Sequence, residues 1–124
     1  MEIKAPKKIF IVDDDEMLTT AMTDYLSRDA AHDISVFHTG EEAVRHLGEN
    51  PDVVILDFYL NTVEKDAADG LEVLEAMRVQ LPNTRFIMLS SQESYSKAAQ
   101  TIQKGAEQYV IKGEDAFEKI AEMI

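Results

Sequence analysis

Residues 53–57 read VVILD, four consecutive apolar side chains followed by a carboxylate. A strand that is apolar on both faces is typical of a parallel sheet covered by helices on either side. Asp57 would lie at the carboxyl end of this strand. In open α/β sheets ligands bind at that edge, because the strands end there in loops and the next helices begin with free N–H groups. We therefore predict that Asp57 is the reacting group of a site at this edge.

The same pattern of a short apolar run followed by a helical periodicity occurs five times along the chain. The other four runs are residues 9–12, 34–37, 86–89 and 109–111. Five such units with short connections predict an α/β fold with right-handed crossovers. The expected architecture is a doubly wound five-stranded parallel sheet, order 2-1-3-4-5, in a flavodoxin-like (α/β)5 three-layer sandwich.

Two of the predicted helices have distinct boundary signals. Thr39 and Glu42 form a capping box, and the apolar spacing that follows predicts a helix as far as Gly48. The helix after the fourth strand is predicted to stop at Gly105 and to carry an apolar face made of Tyr95, Ala98, Ala99 and Ile102.

Composition limits what the chain can do. Its 124 residues predict one domain, 1–124, in which the basic residues 1–7 form a flexible lead. With no cysteine it has neither disulfides nor thiolate metal sites, which suits the cytoplasm. The net charge of −12 argues against direct nucleic-acid binding, and no apolar run is long enough to cross a membrane.

The predicted strand order brings polar residues together at one edge. Asp13 and Asp14, after the first strand, would meet Asp57, with Ser90 and Lys112 from the fourth and fifth strands beside them. Converging carboxylates repel one another unless a hard divalent cation, Mg2+ or Mn2+, joins them. A cation and an ammonium facing each other suit a phosphoryl group, and Asp57 is the candidate acceptor through an acyl phosphate.

Each of these residues also has an ordinary structural interpretation. Asp57, Ser90 and the acidic run 13–15 could be helix caps, Lys112 an exposed side chain, and Tyr109 the edge of the core. The joint order of acid pair, acid, hydroxyl and lysine at successive strand ends is what favours a site.

This motif set resembles the receiver domain of bacterial two-component response regulators, over Lys8 to Ile124. The resemblance implies that Asp57 is phosphorylated from a phosphohistidine. It assigns the following roles: Asp13 and Asp14 bind magnesium with Asp57 and the backbone carbonyl of Tyr59, Lys112 pairs with the phosphoryl group, Ser90 and Tyr109 switch on activation, and Tyr59 and Gln92 tune the phosphoryl lifetime.

The chain departs from the family pattern in two places. Gly113 follows the lysine where the family usually has proline, so a trans peptide is expected. The loop 61–69 is longer than usual, either as a tolerated surface insertion or as a partner contact beside the site.

Alternative functions remain open at this point. A phosphohydrolase similar to the haloacid dehalogenase class would use Asp13 as nucleophile and Asp15 as acid, and a folded interaction module would take no phosphate. The resemblance implies a histidine kinase or histidine phosphotransfer protein as donor and an unspecified downstream protein or output domain. It also allows a homodimer of the phosphorylated form and implies no separate substrate turnover.

Overall fold

A computed structural model describes residues 5–60 and 69–124. Five parallel strands form one sheet in the order β2-β1-β3-β4-β5, as predicted. The strands are β1 Lys8–Val12, β2 Asp33–Phe37, β3 Val53–Asp57, β4 Arg85–Ser90 and β5 Gln108–Ile111. The helices are α1 Glu16–Leu26, α2 Gly40–Val44, α3 Gly70–Gln80, α4 Tyr95–Gln103 and α5 Ala116–Met123.

Consecutive residues of the central strands point into two separate cores. Phe10, Val54 and Leu56 belong to the core under α2 and α3. Ile11 and Ile55 belong to the core under α1 and α5. Because β3 is buried on both faces, its continuous apolar run is explained by helices on either side of the sheet, which confirms the three-layer sandwich.

The second helix ends earlier than the sequence predicts. It stops at Val44 and is followed by a 3₁₀ turn, Leu47–Glu49. The cause lies in His46, whose Nδ1 donates to the Glu42 carbonyl at 2.9 Å, while its backbone N–H bonds instead to Ala43. The side chain has replaced the backbone donor that would have continued the α-helix.

The fourth helix carries its predicted apolar face on the outside. Tyr95 is 92% exposed and Ile102 is 47% exposed. The fully buried side chain of this helix is Thr101, whose Oγ1 donates to the Ala98 carbonyl at 2.8 Å. Since its hydroxyl has this partner within the helix, Thr101 can be buried without an unsatisfied polar group.

Two predicted segments lie partly outside the described residues. Of the predicted loop 61–69, only Asp69 is described, and its carboxylate caps α3 by accepting from the Glu72 N–H at 2.9 Å. Of the predicted flexible lead 1–7, the described part ends at Lys7, whose N–H donates to His32 Nδ1 at 3.0 Å; its flexibility stays a prediction. Over the described ranges, no helix is both long and apolar enough to span a bilayer.

Candidate functional site

Three carboxylates meet at the carboxyl edge of the sheet. Val12 of β1 is paired with Leu56 of β3, so Asp13 and Asp57 follow side by side. Ligand oxygens of Asp13, Asp14 and Asp57 all lie within 4.8 Å of one another. Asp13 is only 1% exposed and Asp57 only 3%, so two of the three charges are held away from water. The acidic cluster predicted from the strand order is therefore present.

Lys112 brings a positive charge to the same cluster. It follows β5, and its backbone N–H donates to the Ser90 carbonyl at 2.7 Å. Its Nζ lies 3.2 Å from Asp13 Oδ2 and 3.4 Å from Asp57 Oδ1. One ammonium thus bridges two carboxylates at the carboxyl ends of different strands. A single positive charge cannot neutralise all three carboxylates of the cluster.

Burial and charge crowding shift the pKa values of this cluster. Burial, together with the negative charge of Asp13, raises the pKa of Asp57 to about 7 despite the nearby Lys112 ammonium. Burial likewise raises the pKa of Asp13. Burial alone would lower the pKa of Lys112, but the two carboxylates outweigh it and raise that pKa. Because Lys112 does not balance the charge of the three carboxylates, binding of a proton or a cation at this site is electrostatically favoured.

The donor set fits a hard divalent cation. Asp13 Oδ1 accepts from the Asp15 N–H at 2.9 Å, whereas the buried Asp13 Oδ2 has no hydrogen-bond partner. The Lys112 Nζ contact to this oxygen is an ion pair without hydrogen-bond alignment. A buried carboxylate oxygen left without a hydrogen bond, within reach of two further carboxylates, is the type of ligand that Mg2+ or Mn2+ takes.

Ser90 is held by the loop that follows it. It is fully buried, and its Oγ accepts from the Gln92 N–H at 3.1 Å. The Ser90 hydroxyl in turn donates to the Gln92 carbonyl at 3.5 Å, a long hydrogen bond. Ser90 therefore lies at the predicted strand end, and its hydroxyl both accepts from and donates to the backbone of Gln92.

Two tyrosines donate hydrogen bonds to the same loop residue, Gln92. The Tyr109 hydroxyl donates to the Gln92 carbonyl at 2.7 Å, and the Tyr59 hydroxyl donates to Gln92 Oε1 at 2.9 Å. The backbone N–H of Tyr59 also donates to Asp57 Oδ1 at 3.3 Å. Gln92 thus links three predicted site residues, Ser90, Tyr59 and Tyr109. A metal contact by the Tyr59 carbonyl stays a prediction.

A family model, the response regulator receiver domain, matches residues 9–124. The chain belongs to this family. The receiver domain is 30% identical over 121 residues to response regulator protein VraR of Staphylococcus saprophyticus, covering 96% of this chain and 55% of VraR. It is 31% identical over 107 residues to the alkaline phosphatase synthesis transcriptional regulatory protein PhoP of Bacillus subtilis, covering 86% of this chain and 42% of PhoP. The chain thus spans about half the length of these relatives.

A solved structure supports the same assignment. The receiver domain superposes on a CheY-like response regulator receiver domain protein from Methanospirillum hungatei with a TM-score of 0.79 and 25% identity. The match covers 96% of this chain and 94% of the other. The flavodoxin-like arrangement of the sheet and helices is therefore that of the family.

The structure places a further residue, Lys97, beside the predicted site residues, which the sequence does not reveal. Lys97, in the first turn of α4, donates from Nζ to Gln92 Oε1 at 2.6 Å and also contacts the Tyr59 hydroxyl. Its Nζ lies 5.0 Å from the centroid of the Tyr59 ring. No motif or spacing singles out this lysine, because its position depends on how α4 is rotated against the sheet.

Gly113 and Asp15 of the receiver domain are both singled out by the sequence. No peptide bond is cis in the described ranges, so the Lys112–Gly113 bond is trans, as expected without proline. Asp15, the acid of the phosphohydrolase alternative, is the exposed N-cap of α1 and accepts from the Leu18 N–H at 3.1 Å. Its carboxylate has a structural role there.

Proposed function

We propose that this receiver domain is a phosphoacceptor signalling domain of a two-component system, with Asp57 as the phosphorylated residue. The observation that carries the proposal is the position of the Asp57 carboxylate, which is buried, shares a cluster with Asp13 and Asp14, and lies 3.4 Å from the Lys112 ammonium. A nucleophilic carboxylate between an acidic cation site and a fixed positive charge is suited to receiving a phosphoryl group.

The reaction is a phosphoryl transfer between two residues. One Asp57 oxygen attacks the phosphorus of a phosphohistidine on a histidine kinase or histidine phosphotransfer protein. The new O–P bond forms as the N–P bond breaks, and the released imidazole nitrogen takes up a proton. Lys112 stabilises the charge that develops on the phosphoryl oxygens, and the Ser90 hydroxyl can exchange its long hydrogen bond to the Gln92 carbonyl for one to a phosphoryl oxygen. The donor supplies the phosphoryl group, so no separate substrate is turned over.

The nucleophile must be ionised to react. Because burial raises the pKa of Asp57 to about 7, much of the protein is protonated at this position near neutral pH. Asp13, Asp14 and Asp57, with the Tyr59 carbonyl, would hold Mg2+ or Mn2+. The bound cation supplies positive charge that favours the Asp57 carboxylate and neutralises phosphoryl oxygens.

Switching is proposed to start at Ser90 and Tyr109. Both side chains are tied to Gln92, since Ser90 Oγ accepts from its N–H and the Tyr109 hydroxyl donates to its carbonyl. Drawing the Ser90 hydroxyl towards a phosphoryl group on Asp57 pulls on this loop and changes the partner of Tyr109. The surface made by α4, β5 and α5 then differs between the two states, which is how a downstream protein or output domain, or a second phosphorylated copy, would detect phosphorylation.

The remaining parts of the proposal concern context. We propose one receiver domain over 1–124 that works in the cytoplasm, where its kinase partners present phosphohistidine. Its net charge of −12 disfavours nucleic-acid contacts by this domain. PhoP is a transcriptional regulatory protein, but this chain covers only 42% of its length, so we do not propose transcriptional regulation for this domain.

Intact-mass spectrometry after incubation with acetyl phosphate tests the proposal. The wild-type protein should gain one phosphoryl group with magnesium and none with EDTA. Asp57→Asn should gain none. Asp52→Asn is the matched control, because Asp52 is an exposed aspartate next to the opposite end of β3 and accepts from the Lys8 N–H. This variant should be phosphorylated as the wild type is.

Two results would contradict the proposal. A stable phosphoryl group on Asp57→Asn would place the acceptor elsewhere. Absence of uptake by the folded wild-type protein from acetyl phosphate and from a panel of phosphorylated histidine phosphotransfer proteins would favour an interaction module that takes no phosphate.

A further inference from the structure

We infer that Lys97 is a positioning residue that holds Tyr59 and Gln92 together over Asp57 and thereby slows hydrolysis of the acyl phosphate. The inference rests on the proposed function. Its basis is a closed triangle of contacts: Tyr59 donates to Gln92 Oε1 at 2.9 Å, Lys97 Nζ donates to the same oxygen at 2.6 Å, and Lys97 Nζ contacts the Tyr59 hydroxyl. Since both partners of Gln92 Oε1 are donors, the orientation of its amide is fixed.

The triangle joins the two loops that follow the strands of Asp57 and Ser90. Tyr59 is two residues beyond Asp57 at the end of β3, and Gln92 is two residues beyond Ser90 at the end of β4. These strands are neighbours, with Asp57 paired to Leu89. A side-chain bridge therefore joins the loop after Asp57 to the loop after Ser90, and Lys97 from α4 contacts both residues of the bridge.

The position of the Lys97 charge is electrostatically unfavourable in the unphosphorylated protein. It is the third residue of α4, where the positive end of the helix dipole disfavours a cation. In the part of the chain that the structure describes, its ammonium contacts neutral oxygens and the faces of Phe58 and Tyr59, at 5.8 Å and 5.0 Å from the ring centroids. The negative charge of a phosphoryl group below would strengthen this arrangement.

Hydrolysis needs water at the mouth of the site. A water oxygen attacks phosphorus, the P–O bond to Asp57 breaks, and the water protons pass to the departing inorganic phosphate and solvent while the carboxylate is restored. The attack comes in line, opposite the Asp57 oxygen, which is the open side of the site. A phosphodonor such as acetyl phosphate enters by the same side. Loosening the bridge should therefore accelerate both uptake and loss.

The test compares Lys97→Met, Lys97→Arg and Lys104→Met with the wild type. Methionine keeps the aliphatic stem that packs on the rings, and arginine keeps the charge. Lys104 is the matched control, because it is the exposed lysine at the other end of α4 and pairs with Glu75 at 2.8 Å. Intact-mass spectrometry follows uptake from acetyl phosphate with magnesium, and then loss after the donor is removed.

We expect Lys97→Met to raise both rate constants by about fivefold, the effect of losing a hydrogen bond worth about 1 kcal/mol. The steady-state phosphorylated fraction should change less than either rate. Lys97→Arg and Lys104→Met should match the wild type. Adding Lys97→Met to Gln92→Ala should change the loss rate no further, because Lys97 acts through Gln92. A merely structural role would slow uptake and lower thermal stability instead.

Failure of this inference differs from failure of the proposed function. If the wild type is phosphorylated and Lys97→Met loses the group at the wild-type rate, the inference is wrong and the proposed function stands. The inference about Lys97 would also be wrong if Lys97→Met took up the phosphoryl group more slowly than the wild type, or if Lys97→Met and Gln92→Ala had additive effects on the rate of loss. A wild type that takes up no phosphoryl group overturns both.

Discussion

Asp57→Asn should stabilise the cation-free protein at neutral and alkaline pH, although it removes the proposed acceptor. Burial raises the pKa of Asp57 from 3.8 to about 7, which means that the folded protein binds this proton more tightly than the unfolded chain. At about 1.4 kcal/mol per pKa unit, ionising Asp57 in the folded state costs up to about 4 kcal/mol. Asparagine has nearly the same shape and carries no charge.

The sign of the pH dependence follows from the direction of this shift. For a carboxyl with a raised pKa, the folded state is not penalised below about pH 4, and the penalty grows until the pH passes about 7. The free energy of unfolding of the wild type should therefore fall, relative to Asp57→Asn, across this range. Above about pH 7 the difference between the two proteins should be constant.

Urea unfolding in EDTA, followed by far-UV circular dichroism between about pH 5 and pH 8, measures this difference. With a urea slope of about 2 kcal/mol per molar, the variant's midpoint should exceed that of the wild type by up to about 2 M at the alkaline end. Added magnesium should narrow the gap, because it stabilises only the protein that has all three carboxylates. A gap that does not change with pH, or one that favours the wild type at about pH 8, would refute the reasoning.

Four further substitutions test the site, its surroundings and the opposite edge of the sheet. Gly70→Ala would place a Cβ 2.1 Å from the Asp57 carbonyl oxygen, so we expect a loss of at least about 2 kcal/mol in urea unfolding and impaired phosphorylation. Gly113→Ala is the matched control and should behave as the wild type, because a Cβ built there has open space around it. If both alanine substitutions changed stability and phosphorylation equally, the steric explanation would be wrong. Lys112→Met should slow uptake from acetyl phosphate by at least about tenfold, because it removes the ammonium 3.4 Å from Asp57; an unchanged initial rate would exclude that role. Thr84→Val should lower the free energy of unfolding by about 1–2 kcal/mol, since the buried Thr84 hydroxyl bonds a backbone carbonyl at 2.7 Å, and a smaller loss would mean that water replaces it.

The regular parts of the fold could be predicted because each strand has a local sequence pattern, a short apolar run followed by polar residues. Four apolar residues followed by Asp57 can be buried on both faces only in a parallel sheet with helices on either side, and the structure has that sheet in the expected order. The acidic cluster follows from the same reasoning, since the strand order alone puts Asp13 beside Asp57.

The predictions that failed depend on contacts between parts of the chain. The early end of α2 results from the His46 side chain taking the Glu42 carbonyl, a competition that apolar periodicity does not detect. The face of α4 was wrong because hydrophobicity favoured Tyr95 and Ile102, whereas the buried residue is Thr101, whose hydroxyl is satisfied inside the helix.

The sequence by itself determined the five β/α units, their order and the carboxylates that end the first and third strands. These features are local: a strand or helix pattern and the residue that follows it are read within a few positions. The tertiary structure alone decided how burial raises the pKa of Asp57 and how Lys97 joins Tyr59 and Gln92. Both depend on packing, because burial and the rotation of α4 arise only when distant segments cover one another.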